Sequence, residues 1–201
     1  FAKLYNMADV VAIDVGGTGL KGSVLDANGT MITDRVRIPT PYPCAPETLV
    51  ENLKALTKGL PEYNRVSVGF PGLVRHGRVW HIPAFSRLVY GGPEDPAMAE
   101  KWYGFDLSHA LAEAFGVPVK VANDADVQGA AVVKGEGFEF VMTLGTGVGT
   151  SVFSNGRLLP HMELSHAPFR HGETFDKQLG NDARKTIGNK RWRKRVAAGL
   201  Q

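Results

Sequence analysis

The chain has one cysteine, Cys44, among its 201 residues. A lone cysteine makes no internal disulfide. That excludes the disulfide-stapled secreted scaffolds and leads us to expect a reducing compartment, the cytoplasm. Cys44 sits in the proline-rich run "PTPYPCAP" and reads as an ordinary loop thiol. Long hydrophobic runs are missing as well. No stretch approaches the ~18 apolar residues of a membrane-spanning helix, so no membrane partner is expected. The N-terminus has no basic segment followed by an apolar one, which argues against a secretory leader. The chain does carry 43% hydrophobic residues, enough for one large core or two small ones.

The net charge of +3 is unevenly spread. From Arg170 to Gln201 there are nine Lys/Arg and three Asp/Glu, a local +6 that leaves −3 elsewhere. Such a tail fits a polyanion or, more simply, one solvated helix face. In "KRWRKRVAAGLQ", Trp192, Val196 and Leu200 recur every four residues, which favours an amphipathic helix. Nucleic acid is not expected as a partner.

Strand and helix patterns alternate, the mark of an α/β protein. "VVAIDV" reads as a buried strand, and "GLKGSVLDANGTMITDRVRI" as two strands joined at Asn28-Gly29. "ETLVENLKALTKGL" has apolar residues at helical spacing, and "RVSVGF" is a strand running into Pro71-Gly72. "RHGRVWHI" reads as one further strand. "DPAMAEKWYG" and "LSHALAEAFG" read as helices, "VPVKVAND" as a strand and "ADVQGAAVVKG" as a helix.

The opening plan then repeats. "AIDVGGTGLKGSVLDANGTMI" and "VMTLGTGVGTSVFSNGRLL" each hold an apolar strand, a Gly-Thr-Gly turn, a second strand and an Asn-Gly turn. Two such units predict two similar lobes with a cleft between facing turns. The first turn also spells Gly17-x-Gly19-x-x-Gly22, the letters of a dinucleotide loop. Such a loop must lead into a helix whose N-terminus meets the phosphates. Here "LKGSVLDANG" alternates with period two and reaches an Asn-Gly turn early, so a strand is expected and a dinucleotide is not. A glycine-rich β-turn still offers converging N–H groups to an anion. Thr18 adds a hydroxyl, Lys21 a positive charge, and Asp14 a carboxylate at a strand end, costly to bury unless it is paired or faces a metal or water. Asn123-Asp124 likewise ends a strand. This is where α/β proteins hold ligands, although an Asn-Asp helix cap is the plainer alternative.

Four segments, "AIDVGGTGLKG", "GFPGLV", "VANDADVQGAA" and "TLGTGVGTSVFSNGRLLPHMELSH", together resemble the ROK family of sugar kinases and regulators, nearest its glucokinase and polyphosphate-glucokinase branch. The resemblance runs over nearly the whole chain. It implies the actin/hexokinase-like (ribonuclease H-like) α/β fold, with two lobes closing on a sugar and a phosphate donor. Residues 1–120 would form the first lobe. Residues 121–201 would form the second, ending short of the family's usual length.

The resemblance implies that Asp14, Gly16, Gly17, Thr18 and Lys21, with Gly145, Thr146 and Gly147, hold the phosphates of ATP or polyphosphate. Mg²⁺ would be reached from Asp14, directly or through water. Asp124 would be the base that takes the sugar hydroxyl's proton, and Asn123 and Gly72 would contact the sugar. Glu163 and His166 match the family's sugar-binding Glu-x-Gly-His, with Ser165 in place of the glycine, and Glu173 would add a further carboxylate. Asp126 reads as a first-turn helix carboxylate. Many members carry a cysteine-rich zinc site after this histidine. This chain has no cysteine there, so zinc is not expected despite His161, His166 and His171. The family's asparagine near Phe85 is not found in "HIPAFSRL". The function implied is a hexose kinase acting on a glucose-type sugar, with a homodimer left open. The alternative is a non-catalytic or truncated sugar-binding or sensor protein of the same family. The first strand begins at about Val10, leaving no room before it for the helix-turn-helix of the family's repressors.

Overall fold

The structure, a computed structural model, describes residues 9–200. The start of the chain, residues 1–8, to which the expectation of no leader refers, lies outside them. Two compact units follow one another, one ending at Asp124 and one beginning at Ala125. No helix among the described residues is long and apolar enough to cross a membrane.

In the first unit, strand β1 (Val10–Val15) buries Val11, Ile13 and Val15 and exposes Asp14, the period of a strand with one face on a core. Residues 16–19 turn it into the antiparallel strand β2 (Leu20–Leu25), Val15 opposite Leu20. The glycine loop therefore leads into a strand, not the helix of a dinucleotide site. Strand β3 (Val36–Ile38) pairs with the far edge of β2. The turn at Asn28-Gly29 is present and is secured by Asp26, whose Oδ1 accepts from the N–H groups of Asn28 (2.8 Å) and Thr30 (2.9 Å). The expected second strand is interrupted because Thr33 Oγ1 accepts the Val24 N–H at 3.0 Å, and regular pairing resumes only at Val36.

Helix α1 (Pro46–Thr57) starts on proline, whose fixed φ suits the first turn, and buries Leu49, Leu53 and Leu56. Strand β4 (Arg65–Phe70) then runs parallel to β1. "RHGRVWHI" is not one strand. It belongs to a hairpin of β5 (Leu73–Arg75) and β6 (Arg78–His81), reversing at His76 and Gly77 with φ of 52° and 79°. Two left-handed residues make the tight turn that matches strand twist. Helices α2 (Pro96–Trp102) and α3 (Leu107–Phe115) are capped by Asp95 and Asp106, which accept the N–H groups of Met98 (2.8 Å) and His109 (3.0 Å). Strand β7 (Val119–Asn123) completes a five-stranded sheet of order β3-β2-β1-β4-β7, in which β1, β4 and β7 are parallel.

The core joins Val11, Ile13, Val66 and Val68 of this sheet to Leu49 and Leu53 of α1 and Leu107 and Leu111 of α3, all buried. Phe70, Phe85 and Trp102 add an aromatic knot with ring centroids 5.5–6.0 Å apart. Trp102 Nε1 donates to the Cys44 carbonyl at 3.0 Å. Cys44 is itself fully buried, and burial pushes its thiol up to about 12, so it is unreactive.

Helix α4 (Asp124–Ala130) carries the chain into the second unit. Strands β8 (Phe138–Leu144) and β9 (Val148–Ser154) are antiparallel across the turn Gly145–Gly147, with Leu144 opposite Val148. Asn155 and Gly156 (φ 47° and 75°) reverse β9 into β10 (Arg157–Leu158). A small hairpin, β11 (Pro168–Arg170) and β12 (Glu173–Thr174), leads to α5 (Phe175–Leu179), α6 (Asn181–Ile187) and α7 (Asn189–Gly199). Trp192 of α7 donates from Nε1 to the Leu179 carbonyl at 2.8 Å. Gly199 lies against Leu179, Phe175 and Phe169. The expected apolar side of this basic helix thus packs on α5, with Trp192 and Val196 half-buried and Leu200 left exposed.

Candidate functional site

Three parallel strands place their C-terminal ends on one edge of a sheet, where α/β proteins assemble sites. In the first unit that edge carries the turn after β1, Pro71-Gly72 after β4, and Asn123-Asp124 at the end of β7. Asp14, Gly16, Gly17, Thr18, Lys21, Gly72, Asn123 and Asp124 are therefore brought to one place.

The first turn is closed by Gly16 N–H donating to the Gly19 carbonyl at 3.1 Å. Thr40 Oγ1 donates to the Gly16 carbonyl (2.6 Å) and Tyr42 Oη to that of Gly17 (2.9 Å). The carbonyls are thus taken up, while the N–H groups of Gly17 and Thr18 have no acceptor among the described residues. Asp14 lies opposite Lys21 across the β1–β2 pair, and Lys21 Nζ meets its Oδ2 at 2.8 Å. The Asp14 side chain stays 57% exposed, so this carboxylate keeps a face toward solvent.

Asn123 is 5% exposed, and its Nδ2 donates to the Gly72 carbonyl at 3.0 Å, tying the ends of β4 and β7 together. Gly72 is confined: a Cβ there would sit 2.4 Å from the His81 carbonyl oxygen. Asp124 follows as the first residue of α4 and is half-buried.

In the second unit, Gly145 N–H donates to the Gly147 carbonyl at 2.9 Å. The junction of α5 and α6 braces this turn. Asn181 N–H donates to the Gly145 carbonyl (3.0 Å), and Asp176 Oδ1 accepts the Val148 N–H (2.6 Å). A Cβ on Gly147 would lie 2.4 Å from that Asp176 oxygen, so only glycine lets the carboxylate in. The N–H groups of Thr146 and Gly147 have no acceptor among the described residues.

Glu163 is held on both oxygens. Ser165 donates to Oε1 through its N–H (3.3 Å) and its hydroxyl. Oε2 faces His161 Nε2 at 3.7 Å. His161 is buried, and its Nδ1 lies 3.1 Å from Oδ1 of the buried Asp126. The Asp126 carboxylate, then that of Glu163, raises His161 to about 9 against the cost of burial. Facing His161 and bonded to Ser165, Glu163 is lowered to about 2. His166 is exposed and without a polar partner among the described residues. Glu173 accepts from Gln178 Nε2, and Gln178 Oε1 in turn accepts from Arg195 at 2.7 Å.

A sequence model of the ROK family matches residues 10–171. The chain belongs to the ROK family. It is 32% identical over 163 residues to polyphosphate glucokinase of Mycobacterium tuberculosis (strain ATCC 25618 / H37Rv), covering 77% of this chain and 56% of that protein. It is 33% identical over 154 residues to N-acetylmannosamine kinase of Escherichia coli (strain SE11), covering 74% and 48%. Among solved structures, the inorganic polyphosphate/ATP-glucomannokinase of Arthrobacter sp. strain KM superposes with a TM-score of 0.70 at 32% identity, covering 89% of this chain and 71% of that one. The fold is accordingly of the actin/hexokinase-like α/β class. This ROK chain spans about half the length of the curated relatives it matches.

Four features of the ROK chain escaped the sequence reading. These are the bond from Asn123 to Gly72, the Asp126–His161 pair, the clamp of Ser165 on Glu163, and Asp176 under the second turn. Asp126 does lie in a first helical turn, but its partner is 35 residues away. A histidine two residues before Glu163 was the available signal. A cavity of about 460 Å³ opens elsewhere in the first unit, lined by Trp80, His81, Glu94, Glu100 and Tyr103, and none of the expected site residues line it.

Proposed function

We propose that this ROK chain is a sugar kinase that transfers a phosphoryl group from ATP or polyphosphate to a hydroxyl of a glucose-type hexose. The observation that carries the reading is the convergence of the first glycine turn, Gly72 and Asn123-Asp124 on the C-terminal edge of β1, β4 and β7. The kinase names of the relatives support it. In this reading residues 1–120 act as the first ribonuclease H-like lobe and residues 121–201 as part of the second.

Phosphoryl transfer needs positioning, charge neutralisation and a base. Asp124 takes the proton of the attacking hydroxyl. Asn123 is held rigid by its bond to the Gly72 carbonyl. It keeps the polar end of β7 in place beside Gly72, and within the second unit Glu163, His166 and Glu173 are the residues proposed to hydrogen-bond sugar hydroxyls. The N–H groups of Gly17 and Thr18, the Thr18 hydroxyl and Lys21 receive donor phosphate, and Gly145, Thr146 and Gly147 do the same in the second unit. Mg²⁺ fits an exposed, singly paired carboxylate such as Asp14, because this ion keeps most of its waters and binds through one or two carboxylates and the phosphates. When bound it neutralises phosphate charge. Lys190, Arg191, Arg193 and Lys194 are exposed and form no ion pair among the described residues, which favours a polyanionic donor alongside ATP.

Initial rates with glucose, mannose and N-acetylmannosamine, each with ATP and with polyphosphate in the presence of Mg²⁺, test the proposal. Turnover with at least one pair is expected. No turnover with any pair overturns it, and sugar binding by calorimetry without turnover would identify a non-catalytic sugar-binding protein instead.

A further inference from the structure

We infer that His161, held from behind by Asp126, is a positioning residue that sets the Glu163 carboxylate for the hydroxyls of the sugar. The inference rests on the sugar-kinase reading and adds two residues that the reading lacks. Asp126 and His161 are 4% and 8% exposed. A carboxylate and an imidazole buried that far are costly unless each is satisfied. Nδ1 meets Asp126 Oδ1 at 3.1 Å, whereas Nε2 is buried with no hydrogen bond and faces Glu163 Oε2 at 3.7 Å.

A neutral ring has one proton for two carboxylates and must turn a lone pair toward one of them. The imidazolium has a proton for each. The geometry therefore makes the ring a fixed cation between two anions. Asp126 from α4 and Glu163 from the ring's own loop are the charged groups acting on it among the described residues.

Glu163 is the outer end of this row, its side chain 47% exposed. Ser165 takes both lone pairs of Oε1, while Oε2, faced by the ring at 3.7 Å, keeps a lone pair for a ligand hydroxyl. A glutamate oriented in advance loses less side-chain freedom on binding than one that swings in solvent. Closing the 3.7 Å gap to the ~3 Å of a charge-assisted bond as a sugar docks strengthens the hold.

The test uses the full chain with glucose as the probe. His161→Gln keeps a neutral donor, and Asp126→Asn removes the charge behind the ring. In both, the sugar Kd and KM rise on the order of tenfold while kcat stays nearly unchanged. Wild-type affinity weakens as pH rises through about 9, and that dependence disappears in His161→Gln. A folded His161→Gln protein with wild-type affinity overturns the inference. If the variants do not fold, nitrogen-15 spectra of the wild type decide. Both His161 ring nitrogens protonated at pH 7 is the expected result, and a neutral ring overturns the inference. A wild-type chain that binds none of the hexoses overturns the sugar-kinase reading itself, and this inference with it.

Discussion

Single residues carry the site through contacts that span long stretches of chain. Asn123 reaches Gly72 across 51 residues, and Gly72 has no room for a Cβ. Gly72→Ala must push the β6 backbone at His81 away. It is expected to cost about 1–3 kcal/mol of stability and to raise the sugar KM, measured by denaturant titration and initial rates. The His161 pair makes a pH prediction with a definite sign. His161 is raised from 6.5 to about 9, so its stabilising contribution is complete below pH 6.5 and is lost as pH rises through about 9. Glu163 is lowered from 4.5 to about 2, so its contribution is present above pH 4.5 and is lost as pH falls through about 2. Denaturant titrations at pH 6 and pH 9.5 are expected to show the wild type weakening at the higher pH and His161→Gln changing less. Equal slopes in both proteins would remove the ion pair from the account.

At the scale of elements, the glycine turns depend on their braces as much as on their glycines. Asp176 of α5 takes the Val148 N–H, and Asn181 of α6 holds the Gly145 carbonyl. Asp176→Ala leaves that N–H without its acceptor and is expected to cost roughly 1–3 kcal/mol. It should also weaken donor binding more than sugar binding, which paired KM measurements would detect. Behind the first unit's edge, Trp102 of α2 packs on Phe70, the last residue of β4. Trp102→Ala is expected to cost about 3–5 kcal/mol in thermal or chemical unfolding. Most elements were legible in the sequence because their periods are strong. Val11, Ile13 and Val15 alternate, Leu49, Leu53 and Leu56 follow a helical spacing, and the strand after the glycine loop was read from period two and the early Asn-Gly turn. The hairpin within "RHGRVWHI" was not legible, because His76 gives no turn signal until its backbone is seen to be left-handed. The break before Val36 was hidden too, since it depends on a side-chain bond from Thr33.

At the scale of the whole molecule, local pattern named candidate residues, and topology gathered them. Glycine spacing and strand ends pointed to Asp14, the two turns and Asp124. Only the parallel pairing of β1, β4 and β7 puts the first turn, Gly72 and Asn123-Asp124 on one edge. The supporting partners were silent because they are non-local. Nothing near Asp126 in sequence announces His161, and nothing near Val148 announces Asp176. The family match accounts for residues 10–171. The basic helices that follow are proposed to meet the donor, and salt dependence measures whether they do. If they engage a polyphosphate chain, its affinity falls more steeply with salt than that of ATP, because more fixed charges are neutralised.

The central claim is that Asp124 deprotonates a sugar hydroxyl for phosphoryl transfer. Phosphorus-31 spectra of glucose mixed with ATP or polyphosphate and Mg²⁺ follow sugar phosphate directly, with the wild type and Asp124→Asn side by side. The account predicts sugar phosphate from the wild type and a rate lower by about 10²–10⁴-fold in Asp124→Asn, with glucose affinity retained. A variant that makes sugar phosphate as fast as the wild type would contradict it.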